Sequence, residues 1–307
     1  MVTMLFKTNI FGIVGSENNP DYKQNIVLIW DDKIKKILCK MTLKEKVLNL
    51  KLRRDRIIIV CNSKIHICHY STSDFQLVGS LETGPNPLGL IGINYTQEKG
   101  IIVYPSNEED RKKGQITVNH FIQGNNIYIN AHDHNLSYIA LSYNGLLLAT
   151  SSEEGKKIRI FETETGEYLQ ELNRGKEKAD IKCISIDFKN QFIAASSERG
   201  TIHIWSLFKS IEKIKKSGKI ILNEEDNNNK VSNVGSMFSI IPNFLGGSLF
   251  KNEWSFAQTR LEEPYSIFHF GTENVLIIIT STGKYYKARI DLQKGGECQI
   301  LEEELLL

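Results

Sequence analysis

Short apolar runs, separated by polar turns, dominate this chain. Runs at residues 25–30, 57–60 and 275–281 are rich in isoleucine and valine and are followed by polar or small residues, as β-strands are. Similar runs lie at residues 4–14, 47–52, 65–70, 101–104, 115–118, 127–131, 254–261, 266–271 and 284–290. No apolar run reaches the ~20 residues that a membrane-spanning helix needs. The pattern therefore predicts an all-β protein.

One pattern of small and polar residues occurs twice, 45 residues apart. Residues 149–155 read Ala-Thr-Ser-Ser-Glu-Glu-Gly before Ile-Arg-Ile-Phe, and residues 194–200 read Ala-Ala-Ser-Ser-Glu-Arg-Gly before Ile-His-Ile-Trp. A period near 45 is typical of a four-stranded propeller blade, and the chain has room for about seven. The sequence predicts a WD40-like, seven-bladed β-propeller that forms a single domain over residues 1–307.

Between the two repeats lies the stretch Leu172-Asn173-Arg174-Gly175. Neighbouring side chains of a strand point to opposite faces, so Asn173 and Arg174 can serve two different pockets. Arginine, histidine and short hydroxyls together suit a phosphate oxyanion. The joint between these two blades is therefore the candidate functional site.

This stretch resembles the hallmark of the PROPPIN family, also called WIPI or Atg18-like proteins, which is Leu/Phe-Arg-Arg-Gly. Asn173 stands where the family has its first arginine. The resemblance continues at residues 25–32, 51–57, 131–132, 253–257 and 294–298. It implies a seven-bladed propeller that binds phosphoinositides. An enzyme is a third hypothesis that the residues disfavour, because the sequence shows no nucleophile–base pairing, no metal-ligand spacing and no nucleotide loop, so no catalytic residues, metal or cofactor are expected.

The resemblance implies two lipid pockets. The second pocket would contain Arg174, Ser196, Ser197, Thr201 and His203, with Lys178 and Arg199 at its rim. The first would contain His132, Thr150, Ser152 and Asn173, with Lys156 and Arg159. The competing interpretation is that the hydroxyls and histidines form a structural hydrogen-bond network. Asn173 carries no charge, which weakens the first pocket unless Lys156 restores a cation.

Residues 209–252 differ in character from the rest of the chain. Their middle, residues 223–230, is rich in asparagine and acidic residues and predicts disorder. In the family this segment is the membrane-inserting loop of the sixth blade. An apolar tip beside basic residues suits insertion at a membrane interface, and the alternative is a tip packed back on the propeller. The candidate inserting residues are Met237, Phe238, Ile240, Ile241, Phe244, Leu245, Leu249 and Phe250.

Composition adds few constraints. Hydrophobic residues make up 41% of the chain and charged residues 24%, and the net charge is +2, so the chain resembles a soluble globular protein and not a nucleic-acid-binding one. The five cysteines form no Cys-x-x-Cys pair and predict buried free thiols in a reducing compartment. The chain also opens without the pattern of a signal peptide.

Three other motifs receive structural interpretations. Residues 53–56, Arg-Arg-Asp-Arg, predict a turn between strands and not a phosphate site. His66 and His69 would face opposite sides of a strand and could not share a metal ion. Residues 294–298 lack the strand-then-helix context of a nucleotide loop and predict a turn.

These observations favour a non-enzymatic effector of phosphatidylinositol 3-phosphate or the 3,5-bisphosphate. It would act as a monomer, peripherally on the cytosolic side of autophagosomal, endosomal or vacuolar membranes, and recruit an Atg2-like or Atg16-like autophagy protein. In relatives, the loop at residues 84–89 contacts Atg2, although Leu88 replaces a frequent arginine here. The alternative is a WD-repeat scaffold that binds proteins but no lipid.

Overall fold

The computed structural model describes residues 1–69, 75–107, 113–217, 233–235 and 253–306. The chain divides into two compact units, Met1–Tyr128 and Ile129–Leu307. Both units consist of antiparallel sheets whose strands follow one another in sequence, with few exceptions.

The first unit contains three four-stranded sheets. Its strands are β1 (Val2–Met4), β2 (Ile10–Val14), β3 (Ile26–Asp31), β4 (Lys36–Thr42), β5 (Asn49–Leu52), β6 (Arg56–Val60), β7 (Lys64–His69), β8 (Gln76–Glu82), β9 (Gly92–Ile93), β10 (Ile101–Pro105), β11 (Gln115–His120) and β12 (Asn125–Asn130). Each successive group of four strands forms one sheet. These are the first, second and third sheets.

The second unit contains three further sheets and a helix. Its elements are β13 (Leu136–Leu141), β14 (Leu147–Ser152), β15 (Lys157–Glu162), β16 (Tyr168–Asn173), β17 (Ile181–Ile186), β18 (Phe192–Ser197), β19 (Thr201–Ser206), α1 (Phe208–Lys216), β20 (Val234–Gly235), β21 (Glu253–Trp254), β22 (Ala257–Arg260), β23 (Ser266–Phe270), β24 (Val275–Thr280), β25 (Lys284–Arg289), β26 (Gly296–Glu297) and β27 (Gln299–Leu305).

The strand orders of the second unit follow the same plan. The fourth sheet has the order β13-β14-β15-β16-β21-β20, the fifth β17-β18-β19-β22-β26 and the sixth β23-β24-β25-β27. Apolar side chains pack between neighbouring sheets: Ile160 and Leu172 of the fourth sheet join Ile193 and Trp205 of the fifth in one cluster, and each is 0% exposed. The fourth and fifth sheets thus stack face to face around buried apolar residues.

Most predicted strands are present, and the structure differs from the prediction in some added elements and in the number of sheets. Helix α1 and strand β27 lie where the sequence predicts no regular structure. The described residues form six sheets where the sequence predicts seven blades. The estimate of seven divides the chain length by the repeat period and so assigns every residue to a blade, whereas helix α1 belongs to no sheet. The long segment follows β19 of the fifth sheet. All five cysteines are free and buried, as predicted.

Candidate anion-binding site at the fourth and fifth sheets

The joint between the repeats is a turn anchored to the start of β15. β16 ends at Asn173, and the backbone N–H groups of Arg174 and Gly175 both donate to the carbonyl oxygen of Lys156, at 2.8 and 3.4 Å. Asn173 itself pairs with Lys157 in the register of β15 and β16. The end of one strand and the start of its neighbour therefore form a single fixed surface.

Gly155, the last residue of the first repeat, lets the backbone come close to this joint. Its φ is +57°, and a Cβ atom there would lie 1.7 Å from the carbonyl oxygen of Ala179. A residue with a side chain would therefore have to push the chain apart. The carbonyl oxygen of Gly155 accepts a hydrogen bond from Arg174 Nε at 2.8 Å. The repeated glycine of the sequence pattern thus helps to position the arginine.

Arg174 is a buried cation held by backbone carbonyl groups. It is 6% exposed, and its Nη2 donates to the carbonyl oxygen of Glu177. Within the described ranges, no carboxylate pairs with its guanidinium and Nη1 makes no hydrogen bond. Burial, together with the positive charge of Arg199, lowers the pKa of Arg174, although a guanidinium stays charged at neutral pH. The joint therefore carries a charge that the protein itself does not neutralise by a close ion pair.

A pocket of about 250 Å³ opens beside this joint. Its wall contains four of the six residues predicted for the first pocket, and Thr150 lies directly behind it. The lining residues are His132, Asp133, His134, Ser152, Glu154, Lys156, Lys157 and Arg159.

Carboxylates hold the cations of this pocket in place. Lys156 Nζ lies 2.7 Å from a carboxylate oxygen of Glu154. Lys157 and Arg159 both bind Glu171, at 2.6 and 3.1 Å. Because two cations share Glu171, its single charge does not neutralise both. The Lys156 side chain is also 41% exposed, so an incoming anion can reach it.

His132 supplies a neutral polar group to the same pocket. Its Nε2 lies 3.0 Å from the hydroxyl oxygen of Thr150, and the two residues are 7% and 0% exposed. Burial, followed by the charge of Arg159, lowers the pKa of His132 to about 4. His132 is therefore uncharged at neutral pH and can exchange hydrogen bonds but offers no positive charge.

Asn173 is 7% exposed, and its Nδ2 is a buried donor without a partner among the residues that the structure describes. Its strand partner Lys157 places an ammonium group on the pocket wall. The charge missing at residue 173 is thus present on the adjacent strand.

The residues predicted for the second pocket gather on the fifth sheet, and several already bind the protein. Ser196 Oγ donates to the carbonyl oxygen of Ser266 at 2.9 Å, and His203 Nδ1 lies 3.0 Å from Ser255 Oγ. At the rim, Arg199 pairs with Glu177 at 2.5 Å and donates to the carbonyl oxygen of Lys178.

Electrostatics connects Arg174 with this second group. Burial, followed by the charges of Arg174 and Arg260, lowers the pKa of His203 to about 4. Ser196 and Ser197 are buried, whereas Thr201 and His203 are half-buried. The positive charge of Arg199 thus acts on Arg174, and the positive charge of Arg174 acts on His203.

Sequence reasoning missed Lys157, Glu171 and Arg260. Lys157 directly follows Lys156, and its pairing with Asn173 could have identified it. Arg260 pairs with Thr201 from β22, across the long segment, so no local pattern indicates it. Glu171 has no local signal either, because a carboxylate by itself would repel an anion. Its role becomes evident only from its ion pairs with Lys157 and Arg159.

The eight candidate membrane-inserting residues lie outside the described residues. They are Met237, Phe238, Ile240, Ile241, Phe244, Leu245, Leu249 and Phe250. In the ranges that are described, no helix has the length and hydrophobicity of a membrane span, and no His, Cys, Asp and Glu side chains cluster as metal ligands.

The turn at residues 53–56 contains a second buried arginine. Arg53 is 1% exposed, pairs with Asp55 at 2.9 Å and donates to the carbonyl oxygens of Asn94, Thr96 and Lys99. Its guanidinium is fully occupied by the protein. The prediction of a structural turn between β5 and β6 is confirmed.

Comparison with known proteins identifies relatives over the whole chain. The PROPPIN family model matches residues 1–307. Autophagy-related protein 18e of Arabidopsis thaliana is 32% identical over 304 residues, which cover 98% of this chain and 75% of that protein. Autophagy-related protein 18 of Komagataella pastoris is 31% identical over 242 residues, covering 67% of this chain and 44% of that protein.

Solved structures show the same fold. Kluyveromyces lactis Hsv2 superposes with a TM-score of 0.75 at 19% identity, covering 100% of this chain and 86% of that one. KlAtg21, solved in complex with the coiled-coil of AgAtg16, gives a TM-score of 0.74 at 20% identity, covering 99% and 84% of the two chains. The predicted β-propeller class is confirmed. The chain belongs to the PROPPIN family.

Proposed function

We propose that this chain is a non-enzymatic phosphoinositide effector. It binds phosphatidylinositol 3-phosphate or the 3,5-bisphosphate on the cytosolic face of a membrane and recruits autophagy or vesicle-remodelling proteins there. The headgroup phosphates bind at the joint after β16. Arg174 serves the pocket on the fifth sheet, and Lys156, Lys157 and Arg159 serve the pocket on the fourth.

The observation that carries this proposal is the unpaired charge of Arg174. Buried charges in proteins are normally paired, because an isolated ion in a poorly solvated site is costly. Arg53 follows this rule through Asp55. Arg174 is almost as buried but has two carbonyl partners and no carboxylate within the described part of the chain. A phosphate oxygen would supply the missing negative charge and accept from Nη1.

The first pocket supports the same chemistry. Its volume of about 250 Å³ is near the lower size of small-molecule sites. Lys156 and Lys157 provide charge, whereas His132 and Ser152 provide neutral hydrogen-bonding groups for phosphate or ring hydroxyls. Glu154 and Asp133 would repel a highly charged headgroup, so we expect this pocket to bind more weakly than the one at Arg174.

Relatives support the proposed context of membranes and autophagy. The curated relatives are named as autophagy-related proteins, and KlAtg21 was solved with the coiled-coil of AgAtg16. We infer an Atg16-like or Atg2-like partner and peripheral attachment to autophagosomal, endosomal or vacuolar membranes. The loop proposed to contact an Atg2-like protein presents Leu88, which is 62% exposed, and Asn86 holds its base by bonding Leu90.

Two contacts together would hold the protein on a membrane. One headgroup contact or one shallow apolar insertion gives only reversible attachment, whereas two give stable binding. The pockets would select the phosphoinositide, and residues 237–250 would prolong attachment.

Flotation with liposomes tests this function. Liposomes of phosphatidylcholine with a few per cent phosphatidylinositol 3-phosphate should carry the wild-type protein upward, and the Arg174→Ala variant should remain in the bottom fraction. Arg289→Ala is the matched control, because Arg289 is exposed on β25 of the sixth sheet. Equal flotation of folded wild-type and Arg174→Ala protein would refute the assignment of Arg174.

A WD-repeat scaffold without lipid binding is the second candidate. The observation that favours it is that Ser196 Oγ and both terminal nitrogens of Arg199 already bind the protein. Under this alternative, no phosphoinositide increases flotation of the wild-type protein, while a protein partner still binds.

A further inference from the structure

Strand β22 adds an arginine to the fifth sheet, beside the residues predicted for the second pocket. β22 pairs antiparallel with β19, so that Arg260 lies opposite Thr201 and Gln258 lies opposite His203. Paired residues of neighbouring strands lie on the same face of a sheet, with their Cβ atoms about 5 Å apart. Arg260 therefore shares a sheet face with Thr201 and His203, although β22 follows the long segment in the sequence.

This sheet face is directed towards the fourth sheet, which carries the joint at Arg174. Trp205 lies two residues after His203 and so on the same face of the strand. It belongs to one buried apolar cluster with Leu172 of the fourth sheet, and Arg174 follows Leu172 by two residues. Arg260 is therefore on the side of the fifth sheet that faces the joint.

The guanidinium of Arg260 makes no hydrogen bond or ion pair within the described residues. Arg260 is exposed, and its backbone N–H donates to Glu297 Oε1 at 2.8 Å. The other carboxylate oxygen of Glu297 accepts from Gln258 Nε2 at 3.3 Å. The rim residue Arg199, in contrast, pairs with Glu177 at 2.5 Å. The side chain of Arg260 is therefore free to bind a ligand.

Two guanidinium groups act on the surface formed by Thr201 and His203. Burial, followed by the charges of Arg174 and Arg260, lowers the pKa of His203 to about 4. Because the effect of a charge weakens with distance, both arginines lie near His203. Thr201 is half-buried, and its hydroxyl makes no hydrogen bond in the part of the chain that the structure describes. A ligand on this surface would thus meet one cation from the joint and another from β22.

We propose that Arg260 binds the 5-phosphate of a headgroup whose 3-phosphate is bound by Arg174, so that the second pocket prefers phosphatidylinositol 3,5-bisphosphate to the 3-phosphate. This inference rests on the proposed function, which leaves the choice between these two lipids open. A guanidinium can bind a phosphate through two parallel hydrogen bonds. The two phosphates flank carbon 4 of the inositol ring, whose hydroxyl then faces the free hydroxyl of Thr201.

The two arginines divide affinity and selectivity between them. A headgroup with a single ring phosphate satisfies the buried Arg174 and leaves Arg260 in solvent. Because Arg260 is exposed, its contact with a phosphate is weaker than that of a buried arginine, and we expect it to give about a fivefold preference. Removal of Arg260 should therefore abolish the preference and leave binding of the 3-phosphate nearly unchanged.

Calorimetric titration of the full chain with soluble headgroups tests the proposal. The wild type should bind inositol 1,3,5-trisphosphate about fivefold more tightly than inositol 1,3-bisphosphate. In Arg260→Ala the two affinities should agree within about twofold, because only trisphosphate binding weakens. This variant keeps the backbone hydrogen bond to Glu297 and should fold. Arg289→Ala, at an exposed position on β25, is the matched control and should keep the wild-type preference.

Inositol 1,3,4-trisphosphate separates a positioned contact from a general attraction of charge, because it carries the same number of phosphates in another arrangement. Arg260→Ala should weaken its binding less than that of the 1,3,5-isomer, and equal weakening overturns the proposal. A wild type without preference overturns it too, as does an Arg260→Ala variant that keeps the preference while Arg174→Ala loses headgroup binding. A wild type that binds none of these headgroups contradicts the proposed function as well.

Discussion

At the scale of single residues, the buried histidines give the site a defined response to pH. The pKa of His132 is lowered to about 4, chiefly by burial, whereas an unfolded chain protonates histidine near pH 6.5. Between these two values the unfolded state binds the proton more readily than the folded state. Folding stability must therefore fall as the pH falls from about 6.5 to about 4 and then level off, because the folded protein becomes protonated too.

We predict that His132→Asn reduces this dependence. The slope of the unfolding free energy between pH 4 and 6.5 should decrease by up to about 1.4 kcal/mol per pH unit. Urea unfolding at several pH values measures it, and His69→Asn is the control, because His69 is exposed on β7. An unchanged slope for the His132 variant would contradict the assignment of a buried neutral imidazole.

Arg53 and Arg174 should differ in what their removal does to stability. Arg53→Ala leaves the carbonyl groups of Asn94, Thr96 and Lys99 and the Asp55 carboxylate without their cation. We expect a loss of about 3–5 kcal/mol, as for other broken buried pairs. Arg174→Ala removes two carbonyl contacts and should cost clearly less. Urea unfolding of both variants tests this order, and the reverse order would show that Arg174 is chiefly structural.

The site residues illustrate what a single sequence reveals. The repeated Ser-Ser-Glu pattern and Arg174-Gly175 indicated the joint, and the structure places His132, Ser152, Lys156 and Arg159 around one pocket there. The sequence could not show which hydroxyls are already occupied: the Oγ of Ser196 binds Ser266, seventy residues away. Such long-range contacts depend on how the sheets stack, which no local pattern contains.

At the scale of elements, α1 and β27 show where pattern reasoning fails. Leu207, Ile211 and Ile214 have the spacing of a helix face, and α1 packs this face on the fourth sheet. The asparagine-rich stretch that follows in the sequence obscures this short helical signal. Strand β27 contains three successive glutamates and is exposed along its whole length. It forms because β25 offers a free edge, so its conformation is decided by pairing and not by its own composition.

The docking of α1 gives a prediction at this scale. Ile214 is 2% exposed within the core of the fourth and fifth sheets. Ile214→Ala should lower the unfolding free energy by about 2–4 kcal/mol through the lost contacts and the cavity. Lys216→Ala, at a side chain that is 75% exposed, should change it by less than about 0.5 kcal/mol. Urea unfolding compares the two, and equal stabilities would mean that α1 does not dock as described.

At the scale of the whole molecule, the repeat period predicted the fold class correctly, whereas the predicted number of blades differs from the number of sheets in the described residues. Each sheet follows the strand–turn–strand plan expected of a blade, and the family comparison confirms the propeller class. The count of seven came from dividing the chain length by the period, which treats every residue as part of a blade. Helix α1 breaks that assumption, because it lies between β19 and β20 in the sequence and belongs to no sheet.

The proposed function depends on one charge in this architecture. Sheet stacking buries Arg174 at a joint where the backbone holds its guanidinium by two carbonyl groups. Under the proposed function, an anion accepts from the remaining Nη1 and balances this charge. Loss of a charge-assisted contact of roughly 1.5–3 kcal/mol weakens binding by about tenfold or more, whereas Asn173→Ala, which removes no charge, should change affinity little.

Calorimetric titration with soluble inositol 1,3-bisphosphate, the headgroup of phosphatidylinositol 3-phosphate, tests the central claim without a membrane. The wild type and Arg289→Ala should bind with equal affinity, and Arg174→Ala, shown to be folded by its circular dichroism, should bind at least tenfold more weakly. If folded Arg174→Ala binds the headgroup as well as the wild type does, Arg174 is not the phosphate ligand and the account is contradicted.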